Sequence, residues 1–218
     1  MLRRVRKFFS ISIIKSIAFN IKYFGLKGLV EFPVLIARNT VFENIGGQVI
    51  IDAPSQHFGI KIGFSWASLY GPSSKTIWNN KGTVKFCSTC VISRGSVISC
   101  EEDGVLSFGR NFQSNEGCRF ICAKEISFAH NVLVSWDCTF MDTDFHTIIR
   151  SCGQTNVSRS IEIASDCWIG FECVLLKGAK LSNGNVLACR SLLAKEISKS
   201  NCLVIGGKIA DEQITWHR

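Results

Sequence analysis

Asp142-Thr143-Asp144-Phe145-His146 puts two carboxylates and an imidazole within five positions. Histidine is the side chain whose ordinary pKa lies nearest neutrality, so an imidazole beside carboxylates is a candidate general base. The Asp-x-Asp pair also suits Mg²⁺ or Mn²⁺ in a glycosyltransferase. That role needs an α/β nucleotide-binding domain, and no strand–helix alternation runs along this chain. A solvated loop histidine is the plainest alternative. The other histidines are His57, His130 and His217. A metal hydratase needs three converging imidazoles, and His130 and His146 lack the usual close spacing. Cys87 and Cys90 form a lone C-x-x-C, weak as a zinc signal. Trp136 and Asp137 precede the acidic motif. An indole there either stacks on a sugar face or covers an apolar spot beneath the loop.

Residues of this kind need a rigid edge, and the chain has one. Ile163, Ile169, Leu175, Leu181, Leu187 and Leu193 fall six apart. Helices repeat every 3.6 residues and strands every 2, so neither produces this beat. One inward side chain per flat face of a repeating coil does, which is a β-solenoid. Shorter runs recur upstream: Phe86, Ile92, Ile98; Phe108, Ser114, Phe120; Phe128, Val134, Phe140. The phase slips between runs, as insertions at corners would cause. The fifth hexad residue is usually small, as at Cys90, Ser96, Cys118, Cys138, Cys167, Cys173, Ala179 and Ser191, which suits a tight corner. Phe112, Asn185 and Ile197 depart from that rule.

The 218 residues are 46% hydrophobic and carry a net charge of +8, enough for one well-buried domain. Eleven cysteines are an odd number, and five sit at the small corner position, so they read as reduced structural thiols of a cytosolic protein. Residues 1–38 read as a basic helical segment and then irregular chain. Arg3, Arg4, Arg6, Lys7, Lys15, Lys22 and Lys27 interleave with Phe8, Phe9, Ile11, Ile14, Ala18 and Ile21. The 11, 14, 18, 21 spacing makes one helical stripe. Residues 1–27 therefore lie on an anionic membrane surface, cap the open end of the solenoid, or do both, since a solenoid edge needs a cap in any case. A signal peptide is disfavoured because Lys15 interrupts the apolar run and no small-x-small site follows. No basic–aromatic groove motif points to nucleic acid. Residues 39–199 read as the solenoid, with irregular coils before residue 86 and an external loop at 147–160. Residues 200–218 form a tail.

These features resemble the hexapeptide-repeat acyltransferases over roughly residues 40–216. Cys167-Trp168-Ile169-Gly170 looks like the family's Val-Trp-Ile-Gly, and Leu176-Lys177-Gly178 like its Leu-Lys-Gly. The first 40 residues are similar to the start of polysaccharide O-acetyltransferases. The resemblance implies an all-β chain wound as a left-handed parallel β-helix, a homotrimer with active sites between subunits, acetyl-CoA as co-substrate and no metal. His146 would take a proton from a saccharide hydroxyl, with Asp144 or Asp142 orienting it or holding a sugar hydroxyl. From their place just before the motif, and not from the resemblance, Trp136 and Asp137 are candidates to meet the acceptor. Trp168, Gly170, Ser191, Arg190, Lys195 and Lys208 would meet CoA. The acceptor would be a bacterial surface polysaccharide or its precursor, handled in the cytoplasm at the inner face of the membrane. Transfer to an amino sugar and a non-catalytic binding scaffold remain alternatives. The tail Gly206-Gly207-Lys208 lacks the Pro-Ala of many family members.

Overall fold

A computed structural model of the chain describes residues 10–52, 56–65, 70–71, 73–149, 151–153 and 155–217. Arg3, Arg4, Arg6, Lys7, Phe8 and Phe9 of the basic segment, and Gln154 of the expected loop, lie outside the described residues.

The six-residue beat becomes three flat faces. The first is a 9-stranded sheet from Val34–Ile36 to Lys208–Glu212; the second and third are 7-stranded. Among the described strands every pairing is parallel except the last, Cys202–Ile205 with Lys208–Glu212; isolated antiparallel bridges join Ile11 to Ala37 and Ile149 to Thr155. Successive strands pass from face to face, so the chain winds as a triangular prism. Every aliphatic member of the 163–193 series is buried, as are Phe86, Ile92, Ile98, Phe108, Phe120, Phe128, Val134 and Phe140. Ser114, the one miss, also faces inward, and its hydroxyl has no partner among the described residues.

The phase slips are corner insertions. Leu175 pairs with Leu193, 18 positions on, whereas Ile98 pairs with Phe120, 22 on, and Phe120 with Phe140, 20 on. Large rings follow the rungs. Phe86, Phe108 and Phe128 stack at 5.5 and 5.6 Å, and Phe120 and Phe140 at 5.4 Å. The small corner residues have a second use. Cys118, Cys138 and Cys173 occupy one edge of the prism, and each thiol donates to a carbonyl of the next coil, Ser135, Gly170 and Ala188, at 3.0 Å. All eleven cysteines are free thiols. Burial pushes the Cys167 thiol up to about 12, which keeps it neutral and inert.

The first two coils differ from the expected irregularity. Their strands, Val34–Ile36 through Thr83–Phe86, hold parallel register despite a poor hexad pattern. Among the described residues the departures are register shifts at Phe42/Asn44 and Ile62/Phe64.

Both ends of the first face are closed, as an exposed ladder edge requires. At the top, Lys208–Glu212 folds back antiparallel. At the bottom lies helix α1 (Ile13–Phe24), opened by the Ser12 hydroxyl and stopped by Gly25 at φ 61°, followed by α2 (Lys27–Glu31). Asn20 replaces a missing strand: its amide donates to Val34 O at 2.8 Å and its oxygen accepts from Val34 N at 3.3 Å. The Ser16 hydroxyl accepts from Ile36 N at 2.9 Å.

Candidate active site

The second face of the fifth coil ends at Thr139–Met141, and its third face resumes at Ile161–Ile163. The chain between leaves the prism at the second–third edge and carries the acidic motif.

The two aspartates part company. Asp142 continues the inward column of Cys100 and Cys122 and is fully buried. Its carboxylate accepts from the backbone N–H groups of Ala123, Lys124 and Glu125 at 2.8, 2.8 and 2.7 Å. The Cys122 thiol approaches at 3.7 Å. With its oxygens committed to the corner of the preceding coil, Asp142 is no orienter for His146. Asp144 turns outward. It pairs with Lys177, from the Leu-Lys-Gly corner one coil on, and with the Asn156 amide. Two carboxylates so divergent form no common cation site. Among the described residues, no three His, Cys, Asp or Glu side chains converge as metal ligands.

His146 is exposed at the edge, and its imidazole has no hydrogen-bond partner among the described residues. Its backbone, by contrast, is held. Asn156 donates to His146 O at 3.0 Å and accepts from Ile148 N. Asn156 thus ties Asp144, His146 and Ile148 together, and Lys177 anchors the assembly to the next coil. Neither Asn156 nor Lys177 was assigned a site role from sequence. Lys177 was visible in its motif, whereas Asn156 lies where no periodicity marks it.

The Lys177 ammonium, and then the Asn156 amide, hold the Asp144 carboxyl below its ordinary range. The sign follows from that depression. The contribution of this pair is present above the unfolded value of about 3.9 and is lost as pH falls through the lower folded value. In Lys177→Met, Asp144 should titrate closer to an ordinary carboxyl by carboxyl-carbon NMR. An unmoved titration would mean that Lys177 does not set this charge.

The remaining expected residues occupy other parts of the prism. At the first–second edge, Asp137 takes a left-handed backbone, φ 59°, and accepts from the Tyr70 hydroxyl. Burial, and then this bond, push the Tyr70 phenol up to about 12. Trp136 is half-buried, its indole N–H without a partner among the described residues. On the same edge Gly170 lies under the next coil, where a Cβ would meet Cys189 N and Leu187 O at 2.7 Å. Its own N–H donates to Leu187 O at 2.8 Å. Gly170 is therefore required by close coil packing, and that N–H is not free for the amide of pantetheine. Arg190 pairs with Glu172 at 2.6 Å on the surface.

Ser191 and Lys195 meet the tail. The buried Ser191 hydroxyl accepts from Gly206 N at 3.0 Å, and Gly207 would place a Cβ 3.4 Å from Lys195 Cε. Lys208 follows directly, so two exposed ammonium groups flank one turn. Trp168 lies on the first face, 37% exposed, and donates to the Ser135 hydroxyl at 3.0 Å. Its ring lies 6.0 Å from Trp216, whose indole donates to Asp166 O at 2.6 Å. A cleft of about 380 Å³ opens beside Trp216, lined also by Asp166, Gly184, Asn201 and Gln213. Within one copy, then, His146 and Trp168 stand on different sides of the prism.

Comparison of the sequence with protein-family models and with curated proteins returns no match. Among solved structures the chain is similar to the polySia-specific acetyltransferase NeuO, with TM-score 0.50 and 18% identity over 85% of this chain and 79% of that one. Two structures of AntD variants, an N-acyltransferase from Bacillus cereus in complex with dTDP and coenzyme A, give TM-scores of 0.42 and 0.45. Their identities are 10% over 89% of this chain and 91% of that one, and 9% over 95% and 91%. The likeness to NeuO establishes the fold, a left-handed parallel β-helix; the hexads imply the winding, and the family resemblance its hand.

Proposed function

We propose that this chain is an acetyl-CoA-dependent O-acetyltransferase acting on a saccharide hydroxyl. The observation that carries the reading is His146, an open imidazole on a backbone clamped by Asn156, at the edge of a rigid β-helix. Pre-positioning of this kind makes a general base effective. Acetyl-CoA supplies the activated thioester. The His146 imidazole takes the proton as the acceptor oxygen attacks the carbonyl, and returns it to the departing sulfur. Asp144 is held ionised and paired, so it acts on His146 through the loop rather than by direct contact.

Lys195 and Lys208 at the tail turn, with Arg190, suit the phosphates of a nucleotide, and Trp168 offers an apolar wall for the pantetheine arm. Since His146 and Trp168 face different sides of one copy, the reading places the site between copies of a homotrimer, where flat faces close around a three-fold axis. The exposed apolar loop side chains Phe145, Ile148, Ile149 and Val157 are surfaces such a contact would cover. Trp136 and Asp137 are assigned to the acceptor.

The test is release of free CoA thiol from acetyl-CoA with a panel of lipid- and nucleotide-linked saccharides. Thiol release that requires a hydroxyl acceptor is the expected result. Release only with amino sugars would reassign the chain to N-transfer. A folded sample that binds no acetyl-CoA by calorimetry would make it a binding scaffold.

A further inference from the structure

Helix α1 is apolar on two faces. The inner face is mixed: Phe19 is buried against Trp78, with Tyr23 and Phe24 packed on the core, Ser16 and Asn20 are fully buried against the first coil, and Lys15 reaches the carbonyls of Arg38 and Thr40. A second apolar set faces outward, with Ile14 81% and Ile13 63% exposed and Ile17 and Ile21 beside them. Leu26 and Val30, 80% and 77% exposed, extend the patch past the turn. Of the expected stripe, Ile14, Ala18 and Ile21 lie on the exposed face, whereas Ile11 precedes the helix and bridges Ala37, and capping is done by the other face. A contiguous apolar patch on the end of a prism marks an interaction surface.

Charge selects the occupant. Residues 1–30 contain Arg3, Arg4, Arg6, Lys7, Lys15, Lys22 and Lys27 and no aspartate or glutamate. Lys15 is bonded to backbone and Lys27 pairs with Glu31 at 3.3 Å. Lys22 is exposed, and the sequence before the helix adds Arg3, Arg4, Arg6 and Lys7. A second copy would bring the same positive charge to the contact and be repelled. An anionic bilayer offers an apolar interior and negative headgroups together. No helix among the described residues is long and apolar enough to cross a membrane, so the contact lies in the interfacial plane.

We propose that the outer face of α1, with Leu26 and Val30, docks this chain end-on to an anionic lipid bilayer. The prism then stands on its first coil. The 142–160 loop leaves the fifth coil, roughly 20 Å above the first coil at about 4.8 Å per rung, with the thickness of α1, about 10 Å, between that coil and the surface.

The test is sedimentation of the full chain with vesicles of phosphatidylcholine alone, or with about one-third phosphatidylglycerol. The chain should pellet with the anionic vesicles, stay in solution with the neutral ones, and be released by about 0.5 M NaCl. The double variant Ile14→Glu/Leu26→Glu should lower the bound fraction roughly tenfold with an unchanged melting temperature, because both side chains are solvent-exposed. Equal pelleting of variant and wild type would overturn the proposal, as would no binding at all. So would a concentration-dependent larger species that the variant lacks, which would give the patch to a second copy. Vesicle binding requires no acyl transfer, so this result stands apart from the proposed activity.

Discussion

His146→Ala should lower acetyl transfer by about 10²- to 10⁴-fold, the usual contribution of a positioned general base. Nothing else should move. The imidazole is exposed and makes no hydrogen bond among the described residues, so the variant should melt within about 0.5 kcal/mol of wild type. Its binding of acetyl-CoA by calorimetry should be unchanged. The loss should therefore fall on kcat, the signature of an interaction made as the proton moves. Undiminished turnover by the folded variant would remove His146 from the chemistry and leave the loop a surface feature.

Asp142→Ala should do the reverse. The buried carboxylate accepts three backbone N–H groups at 2.7 to 2.8 Å. Its removal leaves three donors at a part-buried corner without their acceptor, and hydrogen bonds to a charged group are among the stronger ones. A loss of about 3 kcal/mol in urea unfolding is expected. Asp142→Asn should lose less, because its amide oxygen still accepts. Activity per folded molecule should fall far less than in His146→Ala. An orienting partner of the imidazole would give the opposite pattern, unchanged stability with a collapsed kcat. The paired variants thus separate two roles that a five-residue motif runs together.

Why that motif misleads is physical. In sequence Asp142 and Asp144 are equivalent neighbours of His146. In the prism they fall on either side of a boundary. Met141 is the last residue of a strand, so Asp142 still follows the column of Cys100 and Cys122 and points inward. Asp144 lies past the point where the chain leaves the edge and turns to Lys177 and Asn156. Gly170 shows the same limit. Its place in a Trp-Ile-Gly motif reads as room for a ligand, but the coil above fills that room. Asn156 and Tyr70 carry no sequence signal, because each acts through partners eight or more positions away with no periodicity to mark them.

What the amino-acid order decided alone is the winding. A coil repeats its environment every few residues, so its demand for inward apolar and small corner side chains is periodic and local. It can be read without coordinates, from Phe86 to Leu193. Ile14, Ala18 and Ile21 of the N-terminal stripe were legible for the same reason, whereas Ile11 lies before the helix. What only the folded chain decided is direction. Which face of α1 meets the first coil depends on the unpaired ladder edge at Val34 and Ile36, which polar Asn20 and Ser16 satisfy and isoleucines do not. Which aspartate is buried, and on which side of the prism Trp168 stands relative to His146, depend on corner insertions summed over many residues. Periodicity is a local property, but orientation accumulates along the chain.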